Sequence, residues 1–233
     1  LQPYFWTIRL MDPLSIAIDG PAACGKSSLS KALADRIGLY HLETGGLYRS
    51  VALFFLESGG PTDNPERILE LLPKMNLSIH PVKSANREIH FFLGDRDVTD
   101  DIRSETVGKW ASAVAAIPEV RACLLPVQRQ FAQKGRVIMD GRDIGTVILP
   151  EASLKIFLSA PAETRARRRW LQLGGEKSPR SLGEIQADLE ERDRQDLIRP
   201  IAPLRKASDA IDLDNSHMSI EQSVEWILER LPQ

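Results

Sequence analysis

The apolar positions of the chain change period several times, and the changes predict an alternation of strands and helices. Residues 14–19 (LSIAID) form a short apolar run that reads as a buried strand. Residues 27–37 carry Leu29, Leu33 and Ile37 at i, i+4, i+8, the spacing of a helix, and Gly38 is its stop. Residues 39–42 read as a second strand, Glu43-Thr44-Gly45-Gly46 as a turn, and 47–57 as an apolar helix ended by Gly59-Gly60. Pro65 opens a further helix, with Ile68, Leu69, Leu71, Leu72 and Met75 as its expected buried side. Residues 77–80 and 88–93 read as two strands joined by 81–87, with a Gly94-Asp95 turn after them. Asp100-Asp101 is expected to cap one long helix through Ala116, and Pro118 starts another to Lys134, stopped by Gly135. Residues 136–140 (RVIMD) and 154–159 (LKIFLS) are buried strands by the same pattern. An arginine-rich helix follows Pro161, then a polar loop at 174–181 and a charged helix at 182–197. A last strand at 210–213 precedes a helix at 219–231 with Ile220, Val224, Ile227, Leu228 and Leu231 inward. About five parallel strands alternating with helices predict an open α/β sheet covered on both faces, interrupted by a small antiparallel insert near 77–93.

The junction of the first strand and helix carries the chemistry. Gly20-Pro21-Ala22-Ala23-Cys24-Gly25-Lys26-Ser27 satisfies G-x-x-x-x-G-K-[ST]. The glycines let the backbone curl so that its N–H groups point at phosphate oxygens. Lys26 reaches the terminal phosphates, and a loop hydroxyl faces a Mg2+ ion. The following helix adds the positive end of its dipole. Strand, loop and helix are the context the motif requires, so it predicts a bound nucleoside triphosphate rather than a chance glycine-rich turn.

Composition adds bounds. The chain has 233 residues, 42% hydrophobic and 27% charged, with net charge −2, ordinary for a globular protein. Nothing in that charge calls for nucleic acid or an anionic membrane as partner. Cys24 and Cys123 make no disulfide framework, which suits a reducing, cytoplasmic setting. The longest apolar run, 51–56, is far too short to span a bilayer. Residues 1–13 have one basic residue and no small-residue cleavage site, so no secretory signal is read there. They read as an extension, and Met11 just before the first strand leaves open whether residues 1–10 are native.

Three absences and presences narrow the class. No Asn-Lys-x-Asp guanine motif and no LSGGQ-type run is found, which disfavours GTPases and transporter ATPases. Small-molecule phosphotransfer remains, and it asks for a donor cradle, an arginine-rich acceptor site and a cover against water. Arg165, Arg167, Arg168 and Arg169 are the cover candidates, with the glycine-hinged loop after them, and Arg165, Arg168 and Arg169 share one helical face. Asp140-Gly141-Arg142-Asp143 follows a buried strand, where open α/β sheets place their ligands. Arg192, Asp196 and Arg199 are expected on one face of the charged helix, and Arg49 lies one turn past Thr44. Cys24 is expected as a small filler and Cys123 as core. Trp110 and Trp226 are expected in helix packing, and His41, His80, His90 and His217 show no ligand spacing.

Five segments together resemble the bacterial cytidylate kinases of the nucleoside monophosphate kinase superfamily: IDGPAACGKSS, ETGGLYR, DIRSETV with ASAVAAIPEVR, IMDGRDIGTVILP, and ERDRQDLIRPIAPL. The likeness runs from about Ile16 to the C-terminal helix. It implies a core ATP-binding domain of 14–43, 119–164 and 182–233, a monophosphate-binding domain of 44–118 containing the insert, and a lid of 165–181. It implies that the loop residues Gly20 to Ser28 hold ATP with Lys26. Arg49, Arg142 and Arg199 would bind the acceptor phosphate, with Thr44 and Tyr48 at the entrance. Ser112, Arg121 and Asp143 would read the base, a carboxylate facing the cytosine amino group and an arginine its acceptors. Arg192 and Asp196 would hold the sugar hydroxyls, and Arg168 and Arg169 would stabilise the transferring phosphoryl group. The implied reaction is phosphorylation of CMP and dCMP by ATP with Mg2+, in a monomer. Two departures stand out. Ser27-Ser28 replaces the usual Gly-Thr after the loop lysine, leaving open which hydroxyl meets the metal, and Glu43-Thr44-Gly45 replaces Asp-Ser-Gly. The alternatives are another small-molecule kinase of the superfamily and a nucleotide-binding module without turnover.

Overall fold

The computed structural model describes residues 14–59, 64–82, 87–133 and 135–232. The extension 1–13, Gly60, the middle of the 81–87 connection and Lys134 lie outside the described residues. Among them the strands are β1 (Ser15–Asp19), β2 (Tyr40–Glu43), β3 (Leu77–Pro81), β4 (Ile89–Leu93), β5 (Arg96–Asp97), β6 (Val137–Gly141), β7 (Leu154–Ser159) and β8 (Ile211–Asp214). The helices are α1 (Lys26–Ile37), α2 (Gly45–Glu57), α3 (Pro65–Leu71), α4 (Glu105–Ala115), α5 (Pro118–Ala132), α6 (Ala162–Gln172), α7 (Leu182–Ile198) and α8 (Ile220–Leu228).

Five strands form one parallel sheet in the order β2-β6-β1-β7-β8. The strand that feeds the phosphate loop is central, flanked by β6 and β7. Its buried run serves both faces. Ile16 and Ile18 join Leu29, Leu33, Ile156, Val224 and Ile227 in the core under α1 and α8. Ala17 points the other way, into a second core with Met139, Leu47, Val51, Phe55 and Leu124. Two covered faces explain why these strands read as continuous apolar runs rather than alternating ones. Each fully buried Ile or Leu contributes about 1.5–3 kcal/mol of transfer free energy. A second, antiparallel sheet, β3-β4-β5, adds Ile79, Ile89 and Phe91 to the α2 side of the core.

The structure corrects several expectations. The helix expected over 100–116 is a 3-10 turn at Asp101–Arg103 followed by α4. Ser104, not Asp100, is the cap that bonds: its hydroxyl accepts from the Val107 N–H at 3.4 Å. Leu69 is 56% exposed, because Ile68, Leu71 and Leu72 take the inward stripe and Leu69 turns about 100° off it. Ile220 is exposed at the first turn of α8, beyond the edge of the core. Cys123 is exposed, off the buried stripe of Val120, Leu124, Gln128 and Phe131. Trp110 is also exposed, whereas Trp226 packs at the α1–α8 core. Among the described residues no single helix is long and apolar enough to cross a membrane.

Candidate active site

Parallel register brings the carboxyl ends of β1, β2 and β6 to one edge: Asp19 lies beside Gly141, and Glu43 beside Asp140. A crevice at that edge is where open α/β sheets hold ligands. Gly20 leaves the sheet with φ +154°, and a Cβ there would lie 2.1 Å from the Leu158 carbonyl oxygen. No other residue fits this turn. Gly25 (φ +87°) and Ala23 (φ 59°) then curl the loop through the left-handed region, which concentrates inward-facing N–H groups into an anion nest. Asp19 braces the opposite wall: its carboxylate accepts from the N–H groups of Ile144 and Gly145, both at 2.7 Å. Burial pushes its pKa up to about 6.

Lys26 is buried, and its ammonium donates to the Pro21 carbonyl at 2.6 Å. Burial and then the neighbouring Arg142 lower its pKa to about 8. A cation held under such a penalty is poised for an anion. Ser27 Oγ donates to Asp140 Oδ2 at 3.0 Å, and His41 Nε2 lies 2.5 Å from the other oxygen of Asp140. Ser28 is exposed on the first turn of α1.

The site residues expected from the sequence converge on one cavity of about 470 Å³. Ala22 to Ser28, Thr44, Tyr48, Arg49, Ser112, Arg121, Arg142, Asp143, Arg168, Arg169, Arg192, Asp196 and Arg199 all line it. Gly20 and Pro21 do not; they shape the loop from behind. Thr44 Oγ1 donates to the Asp140 carbonyl at 2.8 Å. Gly141 leaves room for it, since a Cβ there would lie 2.6 Å from that hydroxyl. Arg49 donates to the Ile102 carbonyl at 3.0 Å, and Gly108 of α4 makes space beside its guanidinium. Arg121 pairs with Asp143 deep in the cavity and lies 5.5 Å over the Tyr48 ring. Arg142 Nε donates to Asp196 at 2.6 Å. Arg199 Nη2 is 3.5 Å from Asp143, yet it is buried without a hydrogen-bond partner. Burial, and next Arg121, lowers the pKa of Arg199, as burial lowers that of Arg49.

Two expectations about arginines change. Arg165 is no cover residue. It is buried, donating to the carbonyls of Ala160 and Ala22 and pairing with Asp193 at 2.7 Å. Arg199 is not on the helical face of Arg192 and Asp196: α7 ends at Ile198, and Arg199 leaves it with ψ 138°. Its side chain reaches the cavity because the chain turns there. The sequence placed Asp140 in the strand-end segment 140–143 and Glu43 beside Thr44 but gave neither a role of its own, and it passed over Gly108. A carboxylate ending an apolar strand was the available signal for Asp140. Glu43 and Gly108 carried none, since their place depends on β2 and α4 meeting the cavity.

Eight cationic side chains line the cavity against four carboxylates, Glu43, Asp140, Asp143 and Asp196, in a chain of net charge −2. A phosphate loop at the end of the central parallel strand, opening on an arginine-lined cavity, defines a phosphate-loop kinase. A protein of undescribed function from Eubacterium ventriosum shares the fold, at TM-score 0.51 and 12% identity over 94% of this chain and 98% of that one. The sequence profile of the cytidylate kinases matches residues 16–233, and the chain belongs to that family. Relatives named cytidylate kinase include those of Desulfitobacterium hafniense (45% identical over 92% of this chain and 91% of the relative) and Pseudomonas fluorescens (44%, over 93% and 94%). That of Caldicellulosiruptor saccharolyticus is 42% identical over 94% of this chain and 96% of its own.

Proposed function

We infer that the protein transfers the terminal phosphoryl group of ATP to CMP and dCMP, giving CDP or dCDP and ADP. One observation carries the reading beyond family membership. One cavity is lined by the phosphate loop, by a buried Arg121–Asp143 pair and by further arginines. Donor phosphates at one end and a pyrimidine at the other would place two phosphate groups among those arginines. No side chain need attack. An oxygen of the acceptor phosphate forms the new bond to phosphorus as the bond to the ADP oxygen breaks, so the protein's work is positioning and charge neutralisation.

The roles follow from placement. Lys26 and the loop N–H groups take the donor phosphates. Arg49, Arg142 and Arg199 take the acceptor phosphate; Nη2 of Arg199 has a 3.5 Å ion pair to Asp143 but no hydrogen bond, which leaves it able to donate to a phosphate oxygen. Asp143 accepts from the cytosine amino group and Arg121 donates to its ring acceptors. Arg192 and Asp196 reach the sugar. Arg169, on the cavity wall, makes a long 3.5 Å hydrogen bond to Gln172 and can swing onto the transferring group as part of a lid. Arg168 is tied to Asn215 at 3.0 and 2.7 Å and would have to let go to do the same. The Ser27 hydroxyl and the Asp140 carboxylate are hard oxygen donors side by side, which suits Mg2+, and this pairing favours Ser27 over Ser28. When bound with ATP, Mg2+ neutralises charge on the terminal phosphates. The test is a panel of nucleoside monophosphates with ATP, read as ADP release. CMP and dCMP should lead; faster turnover of AMP, GMP or UMP overturns the assignment.

A further inference from the structure

Both backbone groups of Ala22, in the middle of the phosphate loop, are taken by side chains from distant helices. Arg165 of α6 donates from Nη1 to the Ala22 carbonyl at 2.9 Å. Asp193 of α7 accepts the Ala22 N–H at 3.1 Å through Oδ1 and binds Arg165 through Oδ2 at 2.7 Å. One ion pair thus grips one residue from both sides, and it is nearly enclosed, with side chains 6% and 15% exposed. Ala22 itself packs with Ala166, Ile185 and Leu189 of the same two helices. Two residues on, Asn215 Nδ2 donates to the Cys24 carbonyl at 2.9 Å.

We propose that Arg165 and Asp193, with Asn215, are positioning residues that aim the loop's amides at the donor phosphates. The argument is geometric. A trans peptide is planar, with its C=O and N–H on opposite sides. Holding the Ala22 carbonyl outward therefore turns the Ala23 N–H inward, and holding the Cys24 carbonyl outward turns the Gly25 N–H inward. Ala23 and Gly25 both line the cavity. Ala23 also has φ 59°, a left-handed conformation that costs a non-glycine residue about 1–2 kcal/mol. The free loop would relax from it, and the two grips hold it there. The same pair ties the loop to α6, most of which lies within the proposed lid, and to α7, which follows it. This inference rests on the loop being the ATP site.

The test compares ATP affinity by calorimetry without CMP, the KM for CMP, and thermal midpoints, in three variants. The double variant Arg165→Met with Asp193→Leu replaces a buried ion pair by apolar side chains of similar size, a swap that often leaves stability intact. It should stay folded with a midpoint near wild type, bind ATP at least about tenfold more weakly, and keep its KM for CMP within about twofold. Asp193→Asn keeps an acceptor for the Ala22 N–H but loses the charge that seats Arg165; it should show the same split, smaller, and serves if the double variant does not fold. Wild-type ATP affinity in a folded clamp variant overturns the proposal, as does an equal loss for ATP and CMP. Lys26→Ala is the control. If it binds ATP normally, the donor-site reading fails; if it loses ATP while the clamp variants keep it, only the clamp fails.

Discussion

Replacing Lys26 by methionine should stabilise the empty protein while removing its function. The Lys26 ammonium is buried, and burial with Arg142 as neighbour lowers its pKa from 10.5 to about 8. At about 1.4 kcal/mol per unit, keeping that charge costs the folded state roughly 3 kcal/mol below pH 8. The bond to the Pro21 carbonyl, lost in the variant, offsets about 1 kcal/mol of this. Lys26→Met should therefore gain about 2 kcal/mol at pH 7, or about 4–8 °C in Tm for a chain of this size. The sign with pH is fixed by linkage. Between pH 8 and 10.5 the unfolded chain keeps the proton that the folded chain has released, so wild-type stability rises with pH across that window. The advantage of Lys26→Met should shrink over the same range, cross zero before its upper end, and leave the variant slightly the less stable above it. Saturating ATP should reverse the order at pH 7, since ligand at about 100 Kd adds about 2.7 kcal/mol to the wild type alone. Thermal unfolding from pH 7 to 10.5, with and without ATP, checks all three. A less stable Lys26→Met at pH 7 without nucleotide, or a gap that widens as pH rises, refutes the reasoning.

Further perturbations probe the fold and the two ends of the cavity. Gly20→Ala drives a Cβ to 2.1 Å from the Leu158 carbonyl, so the loop or β7 must shift; a loss of about 3 kcal/mol or more is expected in denaturant melts. Asp143→Ala leaves Arg121 buried without its partner, and should lower kcat/KM for CMP about a hundredfold while changing UMP far less; steady-state kinetics on both substrates compares them. Arg169→Ala should lower kcat about a hundredfold or more with little change in CMP affinity, because the lid reading gives its guanidinium to the transferring group; single-turnover rates beside CMP titrations separate the two effects.

The local pattern was enough to determine the five parallel strands and the helices between them, though not the short β5 or the 3-10 turn ahead of α4. Gly38 ends α1 in the left-handed conformation, its N–H bonded to the Ala34 carbonyl, as a glycine after a periodic apolar run should. The loop G-x-x-x-x-G-K-S is legible because its chemistry lies within eight consecutive residues, and the likeness to cytidylate kinases made the scattered arginines legible too. What stayed hidden depends on contacts between residues far apart in sequence. Ser27 meets Asp140 only because β6 lies next to β1 in the sheet. Arg121 meets Asp143 because α5 packs against the turn Ile144–Ile148 that follows β6. Arg165 has the same spacing to Arg168 that a surface stripe would have, and nothing in its neighbours' sequence says that Asp193 and the Ala22 backbone surround it. Leu69 and Cys123 fail in the opposite sense: an apolar residue one position off the inward stripe reads as core from composition but is left outside by the helix's rotation. Periodicity fixes which face a helix buries to within a residue. Which buried charge meets which partner is decided by strand order and helix packing, and it is those meetings that turn a phosphate loop into a site for a particular acceptor.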